Sequence, residues 1–524
     1  MSGAHQKTGF RFLDAVERIG NKLPDPVTLF VIGALLVLLA SSIAAAGGWS
    51  REHPATHETV AAKSLLTREG VQWIWLNMVR NFTGFAPLGI VLTAMLGIGV
   101  AEKSGLIAAC LKGMVQITPR SLLTPAVIFV GVNSSIATDA GYVVLPPLAA
   151  LVFAKAGRSP LVGLAAVIAG VGGGFSANIL LTGLDPLLQG LTETGARLLD
   201  SERHVRADCN YYFMIASTFV ITFVGWGITH WIVEPRFSKA DIAEQIASAN
   251  LPGLAAGEGN SGDDRLTASE KRGLFWAMIA ALITGAGVAA LILIPGAPLH
   301  GSYAKPPSGK QALIWPDVIV PLLFVVFLLP GIAYGLATRV IRNDRDVAKM
   351  MADAMSAMGM YVVLAFFAAQ FVEWFRESNL GFLLALEGAE FLQELNAPVW
   401  VMLAGIIVIS AFLDLFIGSA SAKWAFMAPV FVPMFMAVGI SPELTQAAYR
   451  VGDSCVNPIA PMNPYVVVML VFMQRFMPKA GLGSLIALLL PYSLVFLVTW
   501  TALLLAWVAL GLPLGPGHEA LFIK

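Results

Sequence analysis

The residues with the most chemistry in this chain lie between Arg450 and Asn457, which read RVGDSCVN. On a helix Arg450, Asp453 and Asn457 follow at i, i+3 and i+7, so a cation, an anion and an amide project from one face. Such a stripe can hold an anionic group, carry a proton or bind a small cation. It lies in apolar sequence, where a charged side chain costs about 2.5–3.5 kcal/mol on insertion scales and normally faces a cavity, a partner or a transported ion. Two readings fit: an internal Arg450–Asp453 ion pair that fixes helix packing, or a polar stripe on a transport path. The second is preferred, because Pro458, Pro461 and Pro464 break the helix and free carbonyls for a cation or substrate. Packing alone does not need so many breaks.

The first half repeats the pattern with less charge. Asn178, Thr182 and Asp185 stand at i, i+4 and i+7, and Pro186 biases Asp185 away from helical geometry, which puts its carboxylate at a helix end facing a central cavity. Asp185 is the best single candidate for a proton carrier or substrate contact; the alternative is a loop aspartate at the membrane surface. Two knots of small polar residues, Asn133-Ser134-Ser135 and Gly418-Ser419-Ala420-Ser421, offer the hard oxygen ligands that a small cation such as sodium prefers. Asn133, Ser134, Asn178, Asp414 and Asn457 are the candidate ion ligands, against the alternative that membrane Ser and Thr bond their own backbone. Trp424, just after the second knot, is read as stacking on an aromatic substrate rather than sitting in an interface belt. Gly170, Gly172, Gly173 and Gly174 are read as a close-packing seam.

Positioning these groups takes broken helices. Each half runs through an apolar stretch, a knot, a second apolar stretch with prolines (Pro146 and Pro147; Pro429 and Pro433), and a helix-like segment ending in Asn and Asx-Pro. Backbone leaves the helix at membrane depth only where protein or a wet cavity satisfies it, so the duplication points to a site between two halves near the midplane. Composition agrees: 57% of residues are hydrophobic and 13% charged, with mean hydropathy +0.75, against about 25% charged in soluble domains. Spans of roughly 17 residues or more are expected after Pro26 and around 85–104, 211–233, 272–295, 312–337, 357–375, 397–417 and 482–510. The stretches 121–133, 140–154, 424–440 and 443–456 are short or end in a knot and read as re-entrant hairpins and broken helices.

One membrane domain covers 1–524: a first half 1–233 with a hairpin near 121–154, a glycine-rich linker 234–271, and a second half 272–524 with a hairpin near 397–440. The polar leader with Lys7, Arg11, Arg18 and Lys22 precedes a retained first helix, and it shares a side with Arg339, Arg342, Arg345 and Lys349 if the loop 234–271 also lies there. That side reads as the cytoplasm. Net charge is zero, which gives no reason to expect nucleic acid. Three cysteines, Cys110, Cys209 and Cys455, read as buried thiols. The sequence holds no His-Glu-x-x-His, Gly-x-Ser-x-Gly or phosphate-loop motif, so an enzyme is not expected. A passive channel for small organic anions is the rival, and paired broken hairpins favour alternating access over it.

GSASAKWAFMAPVFVPM (Gly418 to Met434), AAYRVGDS (Ala447 to Ser454) and NFTGFAPLG followed by GVAEKSGL (Asn81 to Leu106) resemble the AbgT family of p-aminobenzoyl-glutamate transporters, and the likeness extends from LPDPVTLF at Leu23 to the terminal GLPLGPG. The resemblance implies an all-α integral membrane protein with about nine transmembrane helices and two re-entrant hairpins as inverted repeats, split into scaffold and transport core. It implies a homodimer in the bacterial inner membrane that takes up p-aminobenzoyl-glutamate or exports sulfonamide antimetabolites on a proton or sodium gradient, with no other cofactor. By motif, Asp185, Ser421, Trp424, Pro442, Arg450, Asp453 and Pro461 line the substrate path; Pro442 comes from the resemblance alone. Asp414 and Lys423 depart from the family pattern of Asn and Gln. Either they neutralise each other across the turn, or Asp414 sets a different coupling ion or substrate preference.

Overall fold

Length and apolarity sort the helices of this chain into two kinds, those that can cross a bilayer alone and those that cannot. The computed structural model describes residues 26–52, 59–116, 119, 122–137, 140–248, 266–305, 310–461, 463, 465–517 and 521. The leader lysines and arginines, the glycine-rich stretch 253–262 and Pro464 lie outside them. The first half runs α1 (Pro26–Ala46), an antiparallel β1–β2 pair (Ser50–Glu52, Thr59–Ala61), α2 (Arg68–Thr83), α3 (Ala86–Lys103), α4 (Leu106–Gln116), α5 (Leu123–Asn133), α6 (Ala140–Lys155), α7 (Pro160–Ile168), α8 (Leu184–Ala196), α9 (Tyr211–Ile228) and α10 (Lys239–Ser248). The second half runs α11 (Ala268–Leu293), an antiparallel β3–β4 pair (Ser302–Lys305, Lys310–Leu313), α12 (Ile314–Asp317), α13 (Ile319–Thr338), α14 (Asp344–Ala357), α15 (Gly359–Glu377), α16 (Leu380–Glu394), α17 (Val399–Asp414), α18 (Ala420–Ala437), α19 (Pro442–Val456), α20 (Val466–Phe476) and α21 (Leu482–Ala509).

Among the described residues seven helical runs are long and apolar enough to span: α1, α2 with α3, α9 with its extension to Arg236, α11, α13, α18 and α21. The bent pair α14–α15 makes an eighth if it counts as one span. Their outer faces carry unpaired apolar side chains such as Leu36, Ile43, Leu282, Ile283 and Val498, the surface a bilayer covers. The outer helices pack as a chain of neighbours, α11 on α13, α13 on α3, α14 on α3, and α15 on α1.

The inner helices are the short ones except α18, which at 18 residues is long and apolar enough to span, contrary to the reading of 424–440 as too short. α5 stops at Asn133, where a 3-10 turn of Ser134–Ala137 follows, and α6 returns to form the first hairpin. α17 stops at Asp414, and Ser419 caps α18 by accepting from the Ala422 amide, forming the second. The 397–417 stretch expected to span is thus the 16-residue first arm of a hairpin, ended by a buried carboxylate and the polar knot. After each hairpin comes a helix that breaks. α7 passes into a π turn, Ala169–Gly173, and helix resumes only at Leu184; α19 passes into a 3-10 turn, Asn457–Ile459, and helix resumes at Val466.

The two breaks meet: a Cβ on Gly172 would lie 3.1 Å from the Pro458 ring. The packing is reciprocal, since α8, after the first break, lies on α18 of the second hairpin, while α20, after the second break, lies on α6 of the first. The glycine seam is a packing surface, as expected: Gly172 and Gly173 face Pro458 of the second break, while a Cβ on Gly170 would stand 2.6 Å from the Ile128 carbonyl of α5. The stretch read as a linker starts as helix, with Glu234–Arg236 and α10, whose Gln245 accepts from the Ser159 hydroxyl at 2.6 Å. Cys110, Cys209 and Cys455 are free thiols, and only the last two are buried.

Candidate substrate and ion site

The first knot is fastened to the first break. Asn133 donates through Nδ2 to the Phe129 carbonyl at 2.9 Å and accepts through Oδ1 from the Ile179 amide at 3.1 Å. Ser134 donates to the Gly131 carbonyl at 2.6 Å, the back-bonding expected of a hydroxyl in a membrane helix. Ser135 contacts Asn178 Oδ1 directly, and Asn178 leaves its buried Nδ2 unpartnered. The second knot is fastened to α19 by Tyr449, whose hydroxyl donates to the Ala420 carbonyl at 2.6 Å. The second break holds its own shape through Asn463, which donates to Asn457 at 3.1 Å and accepts from the Tyr465 amide at 2.9 Å. The halves are cross-linked where the Ser176 amide donates to Ser454 Oγ at 3.1 Å.

Between the knots lies a cavity of about 250 Å³. Ser135 of the first tip and Ser421 of the second both line it, with Asn457 and Asn463 of the second break. Aromatic rings make its walls: Tyr142 and Tyr465 stack with centroids 4.5 Å apart and planes 6° apart, one from each half, and Phe175 and Tyr361 complete them. Its lining carries hydroxyls, amides and rings but no charged side chain among the described residues, an environment suited to an uncharged aromatic body.

Charge is stored behind the wall. Asp185, in the first turn of α8, accepts through Oδ2 from the Thr182 amide at 2.7 Å and the Thr182 hydroxyl at 3.1 Å. Its Oδ1 takes Nη2 of Arg450 at 2.6 Å, with side chains 0% and 3% exposed. Asp453 accepts from the Tyr449 hydroxyl at 3.0 Å and pairs with Lys423 Nζ at 2.6 Å, and Lys423 also contacts Asp414. Three buried carboxylates therefore face two buried cations, one negative charge in excess when all are ionised. Among the described residues, Asp414 Oδ2, Asp453 Oδ2 and Arg450 Nε have no hydrogen-bond partner.

The structure brings the expected residues into one neighbourhood, and they divide into two layers. Ser421 and Asn457 reach the cavity, whereas Asp185, Arg450, Asp453 and Asp414 form the buried charge layer. Asp185 does not line the cavity itself, but its neighbours Gly183, Leu184 and Leu187 do. Trp424 is fully buried away from the cavity, stacked on Tyr449 at 4.5 Å and donating to Thr192 Oγ1 at 2.8 Å. Pro442 is the first residue of α19, after the Ser441 cap, and Pro461 lies in the second break. The i, i+3 spacing pairs Arg450 with Asp453 in sequence, but each turns to another helix, Arg450 to α8 and Asp453 to α18. Sequence reasoning missed Tyr142, Phe175, Tyr361 and Tyr465; tyrosines inside the proline-bearing run and just beyond Asn463 were the available signal. It also missed the salt bridge that holds the start of α19, in which Arg203 reaches both Glu443 oxygens at 3.1 Å.

Comparison with known proteins gives a consistent result. The model of the AbgT putative transporter family matches residues 11–522. The p-aminobenzoyl-glutamate transport protein of Escherichia coli K12 is 39% identical over 506 residues, covering 96% of this chain and 95% of that protein. Among solved structures, the Alcanivorax borkumensis YdaH transporter superposes with TM-score 0.83 at 44% identity, covering 94% of this chain and all of that one. Neisseria gonorrhoeae MtrF, described with a class of antimetabolite efflux pumps, superposes with TM-score 0.86 at 41% identity, covering 97% of this chain and 100% of that chain.

Proposed function

The chain belongs to the AbgT putative transporter family, and on that premise we propose that it is a secondary active transporter of p-aminobenzoyl-glutamate or related aromatic carboxylates, or an exporter of sulfonamide antimetabolites. The observation that carries this reading is the cavity shared by the two hairpin tips, with Ser135 and Ser421 on its lining and tyrosines from both halves stacked in its wall. A ring enters between the aromatic walls, and the knots meet its polar edge. Arg450 holds the anionic end and Trp424 the ring once the hairpins shift, since both are sealed in this state. Asp185 and Asp453 exchange protons as the core alternates.

The excess of one carboxylate over the buried cations supports a proton as the coupling ion, because one proton balances the cluster. Sodium at Asn133, Ser134, Asn178 or Asn457 is the second reading, supported by the amide oxygens gathered at the first tip and the second break; against it, Asn133 and Ser134 already bond backbone. In this reading the two broken halves are inverted repeats, the protein is a homodimer in the bacterial inner membrane, and its N-terminus is cytoplasmic. Import and export use the same architecture.

The test is uptake of labelled p-aminobenzoyl-glutamate and of a sulfonamide into proteoliposomes under imposed proton or sodium gradients. Saturable, gradient-driven flux with counterflow is expected, and its loss in Asp185→Ala and Asp453→Ala. Flux that never saturates points to a channel, and normal flux in both variants ends the proposed mechanism.

A further inference from the structure

The second hairpin carries a charge arrangement with no counterpart among the described residues of the first. Lys423, in the first turn of α18, is 1% exposed. Its ammonium lies 2.6 Å from Asp453 Oδ1 on α19 and contacts Asp414 Oδ1 on α17, so three helices converge on one nitrogen. Both carboxylates are 1% exposed, and each has a second oxygen with no hydrogen-bond partner among the described residues. Of the neighbouring charged and titratable groups, Arg450 is committed to Asp185, Tyr449 places its hydroxyl 3.0 Å from Asp453 Oδ1, and Cys455 is a buried thiol two residues after Asp453 on α19.

Two carboxylates taken out of water side by side repel each other and lose hydration, and they persist only with a cation between them. Here that cation is covalently attached. The free Oδ2 atoms are the mark of a site with more oxygen ligands than one ammonium with three donors satisfies. A lysine stem reaching the carboxylates from the hairpin itself does electrostatically what a bound alkali ion would do, without drawing on the ion pool.

We propose that Lys423 is a tethered cation filling a dicarboxylate site between Asp414 and Asp453, so that removing its ammonium opens that site to a free monovalent alkali cation. The ligand class is a small hard cation, sodium or lithium, held by carboxylate oxygens. Its meaning for coupling rests on the transporter reading above: a protein that carries its own cation at this point needs no sodium there.

The test reads binding rather than transport, so its failure and that of the transporter reading are separable. Full-length wild type, Lys423→Gln, Lys423→Arg and the double variant Asp414→Asn/Lys423→Gln are purified in detergent. Their melting temperatures are followed while sodium chloride replaces choline chloride at constant ionic strength. Lys423→Gln should show a saturable sodium-specific rise of about 2–5 °C beyond any in wild type, by mass action on the folded state. Lys423→Arg should not. The double variant keeps the net charge of the site and the Asp453 carboxylate; it should show a smaller sodium-specific rise, and it carries the test if Lys423→Gln does not fold. A melting temperature equal in sodium and choline for the Lys423→Gln variant, or for the double variant where only that one folds, overturns the proposal.

Discussion

The pair that joins the two halves, Asp185 on α8 and Arg450 on α19, offers the sharpest energetic prediction. Its Nη2–Oδ1 distance is 2.6 Å, the side chains are 0% and 3% exposed, and 265 residues separate them in sequence. Asp185→Asn keeps an oxygen for the Thr182 amide but removes the charge, leaving the guanidinium buried without its partner. Removing one member of a buried pair costs about 3–5 kcal/mol, roughly a 10²- to 10⁴-fold change in the folded-to-unfolded ratio. Arg450→Met strands the carboxylate instead, and its cost is partly offset by the Thr182 bonds that Asp185 keeps. The double variant strands neither charge, so its loss should fall short of the summed single losses by about 2 kcal/mol or more. The assay is equilibrium unfolding of the four proteins in detergent, with flux measured in parallel; flux should be absent from all three variants, including the stable double. If the single costs add to the double cost within about 0.5 kcal/mol, the pair is not coupled and its role in holding the halves together is refuted.

Three further outcomes follow from the packing, the cavity and the surface. Gly452→Ala places a Cβ 2.3 Å from the Ile407 carbonyl of α17, so it should cost about 1–3 kcal/mol and lower the melting temperature, and an unchanged melting temperature would show that α17 and α19 cross less tightly. Tyr142→Ala removes half of the stacked pair at the cavity wall and should raise the KM for p-aminobenzoyl-glutamate about 5- to 10-fold, with Tyr142→Phe close to wild type in initial-rate assays. Outside the spans, Arg51 and Trp49 hold the Glu387 carboxyl below its ordinary value of 4.5; that small contribution is present at neutral pH and lost as pH falls through the lowered pKa, so Glu387→Gln should flatten the acid limb of the melting-temperature profile.

What was legible in the sequence was local and repeated. The knots at Asn133–Ser135 and Gly418–Ser421 interrupt apolar runs twice in the same order, and helix does stop at Asn133 and at Asp414. The first break lies elsewhere than expected, because helical spacing puts Asn178 and Thr182 on one face with Asp185, whereas helix ends at Gly173 and resumes only at Leu184. Long-range pairing was not legible. Helical spacing put Arg450 beside Asp453, yet the backbone breaks turn Arg450 to Asp185 and let Lys423 take Asp453, because each buried charge finds its partner on another helix. Of the two alternatives for Asp414 and Lys423, the contact across the short turn was legible, and the pair does touch, but the sharing of Lys423 with Asp453 was not. Trp424 shows a further limit: its place beside a knot was legible, but not that Tyr449 would cover its ring in this state, so that a shift of the hairpins must expose it before it can meet substrate. The position of the cavity tyrosines beside the prolines and Asn463 was legible, but their pairing was not, since Tyr142 and Tyr465 become neighbours only when the second arm of the first hairpin meets the second break.

The central claim is that both hairpin tips line one water-accessible substrate cavity. The most direct measurement is labelling of Ser135→Cys and Ser421→Cys, each in full-length protein in proteoliposomes, by a small hydrophilic thiol reagent with and without p-aminobenzoyl-glutamate. Both cysteines should react, and saturating substrate should slow both reactions with the same concentration dependence. Labelling that substrate leaves unchanged at both positions, or slows at one tip alone, would contradict a shared site.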